Sequence, residues 1–212
     1  MPKVSLMEMR RMGIFEEIEQ PEYVYHMTSR EKAKQILADG KVKVFGDYIC
    51  FFFDDPKWIP LYIYVFGYDH GHEYMGLDGR PKKDPPLVHE DTVVLKLKPR
   101  RKEPLVWYRE VAKSLYTKDT EKEMGEGMTL ERYEAMAYFM YRCRLCHYDN
   151  LAFRNDDIEV LELTEIEAKY PCEQHPDAVL KFIKDNQLED EQAQYIEHIH
   201  DKMKRLGIWG KV

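Results

Sequence analysis

Residues 22–66 read EYVYHMTSREKAKQILADGKVKVFGDYICFFFDDPKWIPLYIYVF, and the order of elements within them decides how the chain is interpreted. A short strand, Tyr23–Tyr25, is expected to run into His26, with a helix beginning at once. Thr28 and Glu31 stand at capping-box spacing, so the hydroxyl can accept a backbone N–H while the carboxylate reaches back. Ala33, Ile36 and Leu37 then form an i, i+3, i+4 apolar face, and Gly40 is a natural stop. An aromatic strand follows over Tyr48–Phe53, then a turn at Asp54-Asp55-Pro56 and an apolar segment, Ile59–Phe66. This order puts an imidazole at a strand end beside a helix N-terminus, a place that favours a phosphate or carboxylate.

Outward from this stretch, 212 residues suit one domain or one domain with a small appendage, with enough chain for a real core. Hydrophobic content of 44% with 13% aromatics argues for a folded protein. There is no apolar run of membrane-spanning length, and MPKVSLMEMRRMGIFEEIEQ lacks a signal-peptide core, so a cytoplasmic protein without membrane partners is expected. Its four cysteines are then expected to be reduced. A net charge of −7 argues against broad nucleic-acid binding, which rests on phosphate neutralisation. Two local basic patches stand against that balance, Lys96, Lys98, Arg100, Arg101 and Lys102, and Arg80, Lys82 and Lys83. Solvated loop and strand-end positions are the plainer reading of both.

Residues 1–19 carry an amphipathic helical pattern ended by Pro21, and 67–91 form a polar loop containing His70, His72, Glu73, His89 and Glu90. That cluster is either a loop metal site or simply a polar loop. A strand is predicted over Thr92–Lys98, with Val93, Leu95 and Leu97 alternating with Val94, Lys96 and Lys98. Residues 117–128 read as an exposed linker or lid. Residues 129–142 admit two readings: a continuous helix capped by Thr129, which periodicity prefers, or a short helix followed by a strand from Glu134. A strand over Ile158–Leu163 and two C-terminal helices complete the chain, the first ended by Asn186 and the second by Gly207.

The His-x-Thr pair at 26 and 28, the helix ending at Gly40 and the tyrosine-led aromatic strand with its Pro-containing turn resemble the NAD-binding half of ADP-ribosyltransferase-like domains. The similarity is greatest to DarT-type enzymes, which transfer ADP-ribose from NAD to DNA bases, and covers roughly residues 20–165. It implies an α+β fold with a split antiparallel sheet over 1–165 and a helical appendage over 166–212. It also implies NAD as substrate, with a nucleic-acid base or protein side chain as acceptor. By resemblance, His26, Thr28 and an aromatic, Tyr48 first with Phe52 or Phe53 as alternatives, would contact NAD, and Glu134 would be the catalytic carboxylate at the start of a late strand. Glu123, Glu126 and Glu131 are weaker alternatives. Each residue also has a plainer reading: Thr28 a cap, Tyr48 a core aromatic, His26 a strand-end polar group, Glu134 a solvated helix residue. The chain departs from the family where an arginine is expected after the aromatic strand; Asp54 and Asp55 stand there instead.

Two other classes of function stay open. One is a non-catalytic nucleotide- or protein-binding module on the same fold. The other is a zinc-stabilised interaction protein, because Cys143-x2-Cys146 and Cys172-x2-His175 have spacings that can close a tetrahedral site. CRLCH at 143–147 also matches a haem-attachment pattern, which requires export to be loaded.

Overall fold

The computed structural model describes residues 15–43, 50–66, 72–75, 81–84, 88–100, 107–110, 128–147, 151–163 and 175–205. In chain order the elements begin with β1 (Phe15–Ile18), β2 (Val24–Ser29), α1 (Arg30–Asp39), β3 (Lys41–Val42), β4 (Cys50–Phe52) and α2 (Trp58–Val65). They continue with β5 (His72–Met75), β6 (Pro81–Asp84), β7 (Thr92–Leu97), β8 (Trp107–Glu110) and α3 (Leu130–Cys143). The last are β9 (Leu145–His147), β10 (Leu151–Ala152), β11 (Ile158–Glu162), α4 (His175–Asp185) and α5 (Glu189–Arg205). The protein is therefore α+β, with antiparallel pairing in each ladder whose register is described.

The chain divides into two units, and both are discontinuous. One comprises residues 19–107 and 146–170, the other 1–18, 108–145 and 171–212. The helices of the last forty residues, expected as an appendage, fall in the same unit as α3.

In the 19–107/146–170 unit, β7 is the middle strand of three, with β2 on one side and β11 on the other. The register pairs His26 with Leu95 and Thr28 with Val93 on one side, and Val160 with Leu95 and Glu162 with Val93 on the other. Val93, Val94, Leu95 and Leu97 are all buried. The predicted alternation along β7 therefore holds only from Lys96 onward, because the strand is covered on both faces before that point. On its outer edge β2 gains one bridge, in which Tyr25 N–H donates to the Phe53 carbonyl at 2.8 Å and Phe53 N–H returns the bond at 2.9 Å.

Helix α1 ends as its sequence predicts. Gly40 adopts φ 61°, the left-handed conformation a glycine enters without steric cost, and its carbonyl accepts from Phe153 N–H at 3.0 Å. The helix starts one residue later than the capping box implied. Ser29, the last residue of β2, is the cap, its hydroxyl accepting from Lys32 N–H at 3.2 Å, and Thr28 lies one residue further back in the strand. The apolar segment after Asp54-Asp55-Pro56 is a helix, α2, with Trp58, Ile59, Leu61 and Ile63 buried. Within the expected loop 67–91, β5 and β6 pair as an antiparallel ribbon.

The other unit is built on α3, which packs against α4 and α5. Thr129 caps α3, accepting from Arg132 N–H at 3.2 Å, and the helix runs unbroken through Glu134 to Cys143, so the strand alternative from Glu134 does not form. Ala135, Tyr138, Phe139, Val179, Phe182, Tyr195 and Ile199 supply its core. Arg132 makes a bidentate pair with Asp177 at 2.9 and 3.0 Å, fixing the start of α3 to α4. At the other end buried Arg109 donates to the carbonyls of Tyr141 and Arg142 at 3.3 and 3.4 Å and lies over the Tyr141 ring. Those carbonyls lie in the last turn of α3, where the helix has no amide partners of its own. Phe15–Ile18, expected to be helical, is strand β1; residues 1–14 lie outside the described residues.

Candidate functional site

Side chains alternate along a strand and cross-strand partners share a face, so Val24, His26 and Thr28 project from the same side of β2. Leu97, Leu95 and Val93 of β7, and Ile158, Val160 and Glu162 of β11, share that side. His26 is thus in the interior of β2 and not at its end, because pairing with β7 continues to Ser29. Its imidazole packs against an aromatic ring. The ring lies 5.4 Å from that of Phe52, tilted by 47°, and Phe52 in turn meets Trp107 edge-on at 5.7 Å.

Phe52 is 1% exposed and Trp107 is fully buried, so both belong to the core that supports the half-buried imidazole. Phe52, expected to contact NAD, is buried beneath the face that carries His26. Thr28 is half-buried two residues further on, on the same face as His26. Tyr48, the expected aromatic contact, lies outside the described residues.

A charged group that the sequence did not single out closes this face. Arg30, the first residue of α1, forms a bidentate pair with Glu162, its Nη1 donating to Oε1 at 3.0 Å and its Nη2 to Oε2. Its Nε also donates to the Glu90 carbonyl, in the turn before β7. The hydrogen bonds from Arg30 hold the Glu162 carboxyl below the usual glutamate value, and those to Glu162 raise the guanidinium further. Only pairing register brings residues 30, 90 and 162 together, so sequence spacing carried no signal for it.

On the opposite face Tyr25, Lys96 and Glu159 form a row across the three strands. Lys96 donates to Glu159 at 2.9 Å and lies over the Tyr23 ring, while Lys98 is 3.8 Å from Glu22. Two members of the expected basic patch are therefore already matched by carboxylates. Arg101 and Lys102 lie outside the described residues.

Glu134 is placed differently from the expected strand start. It lies on α3, half-buried, in an open groove of about 550 Å³ between α3 and α5 that Glu131, Gln192, Ile196, His200 and Lys204 also line. Burial pushes its carboxyl above the usual glutamate value, opposed by the nearby His200 and reinforced by Glu131. His26 and Glu134 belong to different units.

For zinc, Cys143 and Cys146 are both buried, at the end of α3 and on β9. Cys172 and the His175 side chain lie outside the described residues, as do the side chains of His72, Glu73 and His89. Among the described residues no group of three or more His, Cys, Asp or Glu side chains is gathered for a metal, and no helix is long and apolar enough to cross a membrane.

No known protein family, curated protein or solved structure matches this chain.

Proposed function

We propose that the chain is an NAD-dependent ADP-ribosyltransferase, with NAD bound on the His26–Thr28 face and a nucleic-acid base or protein side chain as acceptor. The observation that carries this reading is the geometry of β2. A half-buried imidazole and a hydroxyl share one strand face, and a capped helix begins immediately after them. Such a face can hydrogen-bond the hydroxyls of a ribose while apolar side chains fix the donor groups. The ADP-ribosyltransferase-like split sheet is the finer form of the α+β class that this reading requires.

The chemistry is a displacement at the ribose carbon. Nicotinamide leaves with the electrons of its bond, the acceptor forms the new bond to that carbon, and the acceptor's proton is released. A carboxylate near the ribose stabilises the positive charge that develops. The family resemblance gives this role to Glu134.

A second reading has a specific observation in its favour. Glu134 lies in a helix groove and its carboxyl holds its proton more tightly than usual, whereas the chemistry needs a carboxylate beside the ribose. That arrangement favours a non-catalytic nucleotide-binding module.

Calorimetry with NAD on wild type and His26→Ala, combined with nicotinamide release from wild type and Glu134→Gln, separates the readings. Saturable binding lost in His26→Ala, with nicotinamide release lost in Glu134→Gln, is the expected result for the transferase. Binding without release assigns the module. Absence of binding at millimolar NAD sinks both.

A further inference from the structure

We infer that Arg30 is the positioning residue of the His26–Thr28 face: by holding Glu162 and the Glu90 carbonyl together, it sets the geometry in which that face meets its ligand. This rests on the NAD reading above.

The argument starts from register. Thr28, Val93 and Glu162 lie in one row across β2, β7 and β11. Glu162 is therefore two strand spacings from Thr28, about 10 Å. Arg30 follows Thr28 by two residues and spans this row to reach Glu162, so its guanidinium lies across the end of the face that carries His26 and Thr28. Three of its five N–H donors are committed, two to one carboxylate and one to a backbone carbonyl. One side chain thus ties together the start of α1, the turn leading into β7 and the end of β11.

An isolated exposed ion pair contributes little to global stability, and Arg30 and Glu162 are 39% and 45% exposed. What the clamp adds is orientation. A bidentate pair fixes direction as well as distance, and lysine cannot reproduce it. Without it, β2 and β11 still pair with β7, but the last residues of β2 and the first turn of α1 lose their tie across the sheet. His26 and Thr28 are the groups that would feel that loss.

The test combines NAD calorimetry with NMR of the ligand-free protein, using the full chain. Arg30→Ala, Arg30→Lys and Glu162→Gln are each expected to weaken NAD binding about tenfold. Melting temperature should shift little. The swapped pair, Arg30→Glu with Glu162→Arg, should recover most of the affinity. Wild type should keep its affinity as pH falls through the usual glutamate range, while Arg30→Lys loses it nearer that range, a shift a merely structural role would not produce.

In the ligand-free protein the His26 ring resonances should move in Arg30→Ala while those of Tyr23, beside Lys96, stay in place. Unchanged NAD affinity in Arg30→Ala overturns the inference. Tighter binding in Glu162→Gln also overturns it, because Arg30 would then be a phosphate contact that Glu162 masks. If wild type binds no NAD, the functional reading fails separately, and the His26 resonances decide the clamp: unmoved rings reject it.

Discussion

Thr28 and Ser29 are near-equivalent as helix caps and both pair with β7; what separates them is that the helix starts at Arg30, next to Ser29. Ser29 immediately precedes the first helical residue, and its hydroxyl accepts from Lys32 N–H three residues on. Replacing Ser29 by Ala should destabilise the protein by about 1 kcal/mol in chemical denaturation. Thr28→Val, which keeps the β-branch and leaves the cap intact, should change stability by no more than about 0.5 kcal/mol. The reverse order of effects would return the cap to Thr28.

A second residue-scale feature lies at the end of α4. Gln187 adopts φ 56°, with Gln187 N–H bonded to the Lys184 carbonyl at 3.1 Å and Leu188 N–H to that of Ile183 at 2.9 Å. This is a Schellman closure carrying a side chain where glycine is usual, with buried Leu188 and Ile183 completing it. Gln187→Gly should therefore stabilise the protein by about 0.5–1 kcal/mol, read as a raised denaturation midpoint. The sequence announced a stop at Asn186, which donates to the Phe182 carbonyl at 2.8 Å, but carried no sign of the left-handed residue after it.

Among the elements, α2 and α3 show where periodicity suffices and where it does not. Helix α3 has a clear apolar stripe and a Thr cap, and both were readable. Helix α2 is apolar on nearly every side, so no period distinguishes it from a buried strand; the surrounding core decides. Leu61 on α2 is fully buried, and Leu61→Ala should cost about 2–5 kcal/mol in equilibrium unfolding. The pairing of α3 with α5 carries a pH signature. The Glu134 carboxyl is raised by burial, so its ionised form is disfavoured in the folded state, and folding loses stability as pH rises through that raised value. Glu134→Gln should accordingly melt higher than wild type at neutral pH. The difference should shrink as pH falls to the usual glutamate range, where wild-type Glu134 is protonated folded or unfolded. A constant difference across that range would exclude the titration.

For the whole molecule, class was legible and partition was not. The α+β class, implied by the resemblance around residues 22–66, is the class the chain has, and the strand and helix there form close to their expected places. The division at 165 follows the extent of the family resemblance, a cue from local sequence. The units depend instead on which distant segments share a core, and α4 and α5 cover Tyr138 and Phe139 of α3, more than thirty residues earlier. A chain ending at residue 165 is therefore expected to expose the apolar face of α3, to bind a hydrophobic dye and to lose cooperative melting. A soluble, cooperatively folding product of that length would restore the appendage picture.

The interleaving also orders events during synthesis. The polypeptide passes between units four times, at 18/19, 107/108, 145/146 and 170/171. The sheet of β2, β7 and β11 has all its strands once Glu162 has left the ribosome, whereas α3 must wait for α5, which ends at Arg205. At ordinary elongation rates that interval is about 2–9 seconds. During it, the sheet can close while a greasy helix hangs without cover, which makes the nascent chain, more than the finished protein, the form most in need of a chaperone.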